Sequence, residues 1–185
     1  MSKAVFLDRD GTINCEVNIL SDVKQLRLMR GVADAIKKIN NLGFLVIVIT
    51  NQAVVARGLI TENELANIHK SLTNRLLKSG AKLDAIYYCP HHPQANIKKY
   101  RKECVCRKPN IGMIERAIKD FKIDIKKSFL IGDTTGDILT GQRAKLKTIL
   151  VKTGYAGKDK KFDINPDFVA KNLNEAVNII KKNGK

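Results

Sequence analysis

Short apolar runs alternate along this chain with segments whose apolar side chains recur every three or four positions. The runs at 4–7, 45–49, 85–88, 129–131 and 148–151 have strand length and are rich in β-branched residues and leucine. Between them Val32, Ile36 and Ile39 share one helical face, as do Leu65, Ile68, Leu72 and Leu76, and later Ile114, Ile118 and Phe121. The spacing predicts helices near 32–41, 62–79, 111–121, 137–144 and 174–181. Thr61 and Glu64 form a capping-box pattern, and Asn110 after Pro109 is placed to cap the helix that follows. Strands alternating with helices predict an α/β fold, a Rossmann-like parallel sheet flanked by helices. In such sheets ligands collect beyond the carboxyl ends of the strands.

No repeat, low-complexity tract or Pro/Gly/Ser linker divides residues 1–185, which read as one domain. Too few residues separate the early strands for an inserted cap domain, so the site is expected to be open and its selectivity to come from loops.

Composition narrows this picture. With 44% hydrophobic residues the 185-residue chain can bury one sizeable core. No apolar run reaches membrane-span length and the first residues lead straight into a strand, so a cytoplasmic protein without a membrane partner is expected. Lys and Arg number 34 against 18 Asp and Glu, a formal charge of +16. That charge favours an anionic partner. The lysines are scattered instead of clustered, however, and aromatics make up 5% with no Trp, which argues against a base-stacking surface.

The polar residues at the strand ends carry the chemistry. Phe6-Leu7-Asp8-Arg9-Asp10-Gly11-Thr12 closes the first strand with carboxylates two positions apart, which point the same way on an extended segment. One could attack phosphorus and hold a hard cation while the other manages a proton. A bare D-x-D serves equally well as a capping turn; the remaining strand ends decide. Thr50-Asn51-Gln52 closes the second strand and offers a hydroxyl to a phosphate oxygen. Lys108, before a helix, can neutralise a transferring phosphoryl group. Gly132-Asp133-Thr134-Thr135-Gly136-Asp137 closes the fourth strand and supplies further oxygen ligands suited to Mg²⁺.

In order, these segments resemble the four motifs of the haloacid dehalogenase (HAD) superfamily of phosphatases, and the resemblance spans almost the whole chain. It implies that Asp8 forms an aspartyl-phosphate and that Asp10 protonates the leaving oxygen, then activates water. It also implies that Thr50 and Lys108 bind the transferring phosphate. Mg²⁺ would be held by Asp8, Asp133 and the main-chain carbonyl of Asp10, with Asp137 in support.

Cys89-Pro90-His91-His92-Pro93 and Cys104-Val105-Cys106 suggest a second metal. Three thiolates and one imidazole, from Cys89, His91, Cys104 and Cys106, make a tetrahedral Zn²⁺ site within a loop spanning 89–106. Cys15 is expected to take no part, His92 to cap the loop or face substrate, and His69 to lie at a surface or boundary. A zinc clip would hold the adjacent Arg107 and Lys108 over the phosphate.

Together with Ala56-Arg57-Gly58 and Tyr87-Tyr88, these segments resemble the D-glycero-D-manno-heptose 1,7-bisphosphate 7-phosphatase family and, in the same places, the histidinol-phosphate phosphatases. Both families are capless and zinc-stapled. The heptose enzymes act in lipopolysaccharide and surface-glycan biosynthesis. The resemblance implies substrate contacts from Asn51, Gln52, Arg57 and Arg107, a small phosphorylated sugar as substrate, and a monomer. Two departures border the expected pocket: Ala53-Val54-Val55 where the family has Ser-Gly, and Thr134 where it has a basic residue. The competing readings are a basic nucleic-acid-binding protein, which leaves the strand-end motifs unexplained, and a DNA 3′-phosphatase, for which no stacking platform is present.

Overall fold

The computed structural model describes residues 1–184. Six strands form one parallel sheet: β1 (Lys3–Leu7), β2 (Phe44–Asn51), β3 (Ala85–Cys89), β4 (Phe129–Gly132), β5 (Lys147–Val151) and β6 (Phe168–Ala170). Their spatial order is β3-β2-β1-β4-β5-β6. The helices are α1 (Val32–Asn41), α2 (Ala53–Ala56), α3 (Glu62–Lys78), α4 (Gly112–Phe121), α5 (Thr135–Arg143) and α6 (Leu173–Asn183).

Side-chain alternation along the strands builds both faces. On β1, Val5 and Leu7 enter one apolar layer while Ala4 and Phe6 enter the other. Ile36, Leu65, Leu72 and Ile180 of α1, α3 and α6 complete the first layer; Met113, Ile114 and Ala117 of α4 complete the second. Each such aliphatic side chain contributes roughly 1.5–3 kcal/mol by leaving water.

The expected strands and long helices all form. Thr61 and Glu64 make the expected capping box on α3. Two expectations needed correction. Asn110 does not cap α4: Ile111 occupies that position, and the Asn110 amide donates instead to the Cys104 carbonyl at 3.0 Å. The edge strand β6 was not anticipated, because three residues are too short for periodicity to register.

Neither early crossover carries a cap. Between β1 and α1 lies only a short 3₁₀ turn, Val23–Gln25, and between β2 and β3 only α2 and α3. Among the described residues no helix is long and apolar enough to cross a membrane. From β1 the chain winds outward to β3, then restarts at β4 on the other side of β1. The loops therefore diverge at the carboxyl ends of β1 and β4, which opens a crevice there.

Candidate active site

Asp8 and Asp133 leave the two central strands at that crevice. The Lys108 ammonium donates to Asp8 Oδ1 at 2.7 Å and to Asp137 Oδ1 at 2.5 Å. Lys108 is held by its backbone: Asn51, at the end of β2, accepts from the Lys108 N–H and donates to its carbonyl, both at 3.0 Å. Asp137 is set by the first turn of α5, where the Thr134 N–H and hydroxyl donate to Asp137 Oδ2 at 3.1 and 2.6 Å. Asp133 Oδ2 accepts from the Tyr155 N–H at 2.7 Å, while Asp133 Oδ1 is buried without a partner among the described residues. Gly11 and Gly154, both at positive φ, pass so close to this carboxylate that a Cβ on either would overlap it.

Asp8, Asp133 and Asp137 each bring a carboxylate oxygen within 4.8 Å of the others. Burial pushes Asp8 well above the ordinary carboxylate range; Lys108 pulls it back, and Asp137, Asp133 and Asp10 add to the rise. Burial, then Asp137, pushes Asp133 up to about 7. Three buried carboxylates facing one lysine, with an oxygen left unpartnered, are a donor set short of positive charge. An oxygen-seeking dication such as Mg²⁺ fits it.

Asp10 lives in the opposite environment. Arg9 is completely buried between the two aspartates, and its Nη2 donates to Asp10 Oδ2 at 2.7 Å and Oδ1 at 2.9 Å. Asn14 and Gln52 donate to the same carboxylate, each at 2.9 Å. Burial alone would raise Asp10, but the Arg9 charge and these hydrogen bonds outweigh it and hold the group below its ordinary value. Crowding by carboxylates favours a proton and nearby positive charge favours ionisation. The protein alone therefore favours the proton on Asp8 and ionisation of Asp10, because Arg9 turns inward to Asp10 while Asp133 and Asp137 gather around Asp8.

His69 also departs from expectation. It is not a surface residue: only 8% of it is exposed, and its Nε2 lies 3.0 Å from Arg9 Nη1. Burial, then the Arg9 charge, pushes it down to about 3.

A cavity of about 420 Å³ opens above the carboxylates, lined by Thr50, Gln52, Arg57, Arg107 and Lys108 among others. The Thr50 hydroxyl accepts from the Gln52 amide at 2.8 Å. Asn51 reaches the cavity too, but its amide is occupied by the Lys108 backbone. Sequence reasoning missed the far wall, where Tyr155, Asp159, Lys161 and Phe162 follow β5. Asp159 anchors that wall by accepting from the Thr135 N–H at 2.8 Å and hydroxyl at 2.7 Å. Gly154 and Gly157, both at positive φ, were its only cue in the sequence.

On the other side of Lys108, Cys89, His91, Cys104 and Cys106 converge with ligand atoms within 4.8 Å of one another. His91 Nδ1 lies 3.7 Å from Cys89 Sγ and 3.8 Å from Cys106 Sγ, separations that suit ligands sharing one tetrahedral ion. Burial and the neighbouring thiols push Cys106 strongly upward; a bound dication would reverse this, which also fits Zn²⁺. Cys15 lies apart from the cluster, and His92 caps the loop by accepting from the Gln94 N–H at 3.1 Å. Arg107 is tied to the same loop, donating to the His91 carbonyl at 3.1 Å.

Comparison with known proteins agrees with this geometry. Residues 105–176 match the HAD-hydrolase-like family. A Pasteurella multocida protein named D-glycero-beta-D-manno-heptose-1,7-bisphosphate 7-phosphatase is 41% identical over 155 residues, covering 83% of this chain and 84% of that protein. The chain belongs to the heptose-bisphosphate phosphatase family of HAD hydrolases. It is thus a phosphoric monoester hydrolase. A Photorhabdus laumondii relative named for the alpha anomer is 43% identical over 154 residues, covering 83% of this chain and 84% of that protein. Identity therefore does not separate the anomers within the family. The crystal structure of D,D-heptose 1,7-bisphosphate phosphatase from B. bronchiseptica with magnesium and phosphate superposes with TM-score 0.86 at 27% identity, covering 97% of this chain and 98% of that one.

Proposed function

We propose that this phosphatase removes the C7 phosphate of D-glycero-D-manno-heptose 1,7-bisphosphate through an aspartyl-phosphate on Asp8. The observation that carries the reading is the Asp8 carboxylate at the mouth of β1, paired with Lys108 at 2.7 Å and opposite the unpartnered Asp133 oxygen. An Asp8 oxygen attacks phosphorus as the bond from phosphorus to the C7 oxygen breaks, and Asp10, whose protonation the approaching anionic phosphate favours against the pull of Arg9, gives its proton to that departing oxygen. Asp10, now ionised, takes a proton from the water that cleaves the acyl phosphate, which restores both carboxyl groups. Lys108 and the Thr50 hydroxyl hold the phosphoryl oxygens, and Asp137 keeps the lysine in place.

Asp8, Asp133 and the main-chain carbonyl of Asp10 are the proposed Mg²⁺ ligands, with Asp137 supporting them. When bound, the ion shields the nucleophile from the anionic phosphate and favours ionised Asp8. Cys89, His91, Cys104 and Cys106 are the proposed Zn²⁺ ligands, whose role is to hold the loop that presents Arg107 and Lys108. Arg57 and Arg107, on the open side of the cavity, are suited to the second phosphate.

The test is a panel of kcat/KM values for the α and β heptose bisphosphates, histidinol phosphate, hexose phosphates and a 3′-phosphorylated oligonucleotide, with Mg²⁺ in excess. A heptose bisphosphate is expected to lead. Preference for histidinol phosphate by more than about tenfold, near 1.4 kcal/mol in transition-state stabilisation, overturns the substrate and leaves the chemistry standing.

A further inference from the structure

Among the described residues Arg9 is the largest side chain that is completely buried. Its Nε and Nη2 edge faces Asp10, its Nη2 also donates to Gln52 Oε1 at 3.0 Å, and its Nη1 meets His69 Nε2 at 3.0 Å. A guanidinium has only N–H donors. His69 Nε2 must therefore accept, which fixes the imidazole as neutral with its proton on Nδ1. That ring comes from α3, 60 residues along the chain, and packs against Tyr88 with ring centroids 5.6 Å apart. The Tyr88 hydroxyl is in turn held by Glu62 at 2.8 Å.

We propose that His69 is a positioning residue for the acid–base step, acting through Arg9 on Asp10. The inference rests on the reading of Asp10 as the proton-transfer group. With no solvent to turn to, Arg9 Nη1 has His69 as its one partner among the described residues. That bond sets the plane of the guanidinium, and the opposite edge sets the Asp10 carboxylate. Asp10 keeps 21% side-chain exposure and lines the cavity, so a fixed plane aims its free side at the leaving oxygen. Without the acceptor, a buried N–H loses its partner. The fork then rotates to recover one and takes Asp10 with it.

The readout is leaving-group selectivity, which separates positioning from a general loss of structure. An alkoxide needs the Asp10 proton to depart, whereas p-nitrophenolate leaves with little help, and kcat/KM reports the step in which the leaving group departs. His69→Met, which removes the acceptor, should lower kcat/KM for heptose bisphosphate about tenfold or more while p-nitrophenyl phosphate falls no more than about threefold. Should the wild-type enzyme prefer another alkyl phosphate, that compound takes the alkyl arm. His69→Gln, which restores an acceptor, should return the alkyl value to within about threefold of wild type. If His69→Met does not fold, Arg9→Lys, which keeps the charge but loses the fork, must show the same selective loss. Equal losses on both substrates, or none on either, overturn the proposal. Asp10→Asn in the same series separates the two ideas: if it leaves alkyl turnover intact, the underlying acid–base reading fails. If it shows the selective loss and the His69 and Arg9 variants do not, only the positioning role fails.

Discussion

The carboxylate floor and the cysteine loop pose one electrostatic problem on two kinds of scaffold. At the floor Asp8, Asp133 and Asp137 crowd together; in the loop Cys89, Cys104 and Cys106 do. Each cluster concentrates groups that resist ionising together, and each is suited to a dication of the matching hardness. The supports differ. Asp8 and Asp133 follow central strands whose flanking side chains, such as Leu7 and Ile131, are completely buried, and Asp137 sits in the first turn of α5. The loop has no strand or α-helix between β3 and α4, only a 3₁₀ turn at Lys98–Tyr100, and Val105 at its tip is 76% exposed. Emptying the floor should therefore stop the chemistry and spare the fold, whereas emptying the loop should relax the chain that carries Arg107 and Lys108.

The largest effect tests the floor. Asp8→Asn keeps the shape but removes the nucleophile, and turnover should fall by about 10⁴-fold or more; wild-type turnover in that variant would sink the mechanism. Asp10→Asn should cost about 10²- to 10⁴-fold. Chelating Mg²⁺ should abolish steady-state activity with no change in far-UV circular dichroism, because the core layers do not involve these carboxylates.

A smaller loss is expected from the loop. Cys106→Ser should bind less than one zinc per chain by elemental analysis. Its kcat/KM should drop roughly 10²-fold, the scale of a reacting group displaced by about 1 Å. Asn51, which grips the Lys108 backbone from β2, limits the damage. Adding Asn51→Ala to Cys106→Ser should therefore cost more than the two single losses combined. Full zinc occupancy in Cys106→Ser would remove the ligand assignment, and simple additivity would remove the idea that β2 and the loop share custody of the lysine.

Much of this arrangement was legible because strand ends are legible. Once periodicity located β1, β2 and β4, Asp8, Thr50 and Asp133 had to emerge together at one edge of the sheet, and cysteine spacing marked the loop. Lys108, 100 residues from Asp8, could be placed beside it only through the motif order. A partner that converges from far along the chain without a motif was not legible: His69 is 60 residues from Arg9. Local sequence shows two aspartates with the same neighbour, and only the tertiary fold reveals that one faces carboxylates and the other an arginine. Nothing in the sequence marks Arg9 as buried, for the same reason: charged side chains are rarely buried unless paired, and its partners cannot be known beforehand. The far wall escaped notice because Lys161 and Phe162 sit in a loop with neither periodicity nor a motif.

The smallest expected effect sharpens the comparison through its two imidazoles. His91 in the loop faces sulfur and is half-buried, and the zinc proposed there would govern its protonation. His69 beneath the floor faces an arginine and has no metal to defend it. With a folded value near 3 against about 6.5 in the unfolded chain, His69 takes up a proton on unfolding throughout that interval. Its contribution to stability is therefore whole above pH 6.5 and is lost progressively as pH falls toward 3. Between pH 7 and pH 5 the loss should approach about 2 kcal/mol, at 1.36 kcal/mol per pH unit below 6.5. Urea unfolding of wild type and His69→Gln at both pH values isolates it, because carboxylate contributions common to the two proteins cancel in the difference. The wild type should lose about 2 kcal/mol more than the variant on acidification, with or without zinc in the loop. Parallel losses in the two proteins would mean that His69 takes up its proton as readily in the fold as in the unfolded chain, which a ring bonded as an acceptor to buried Arg9 cannot do.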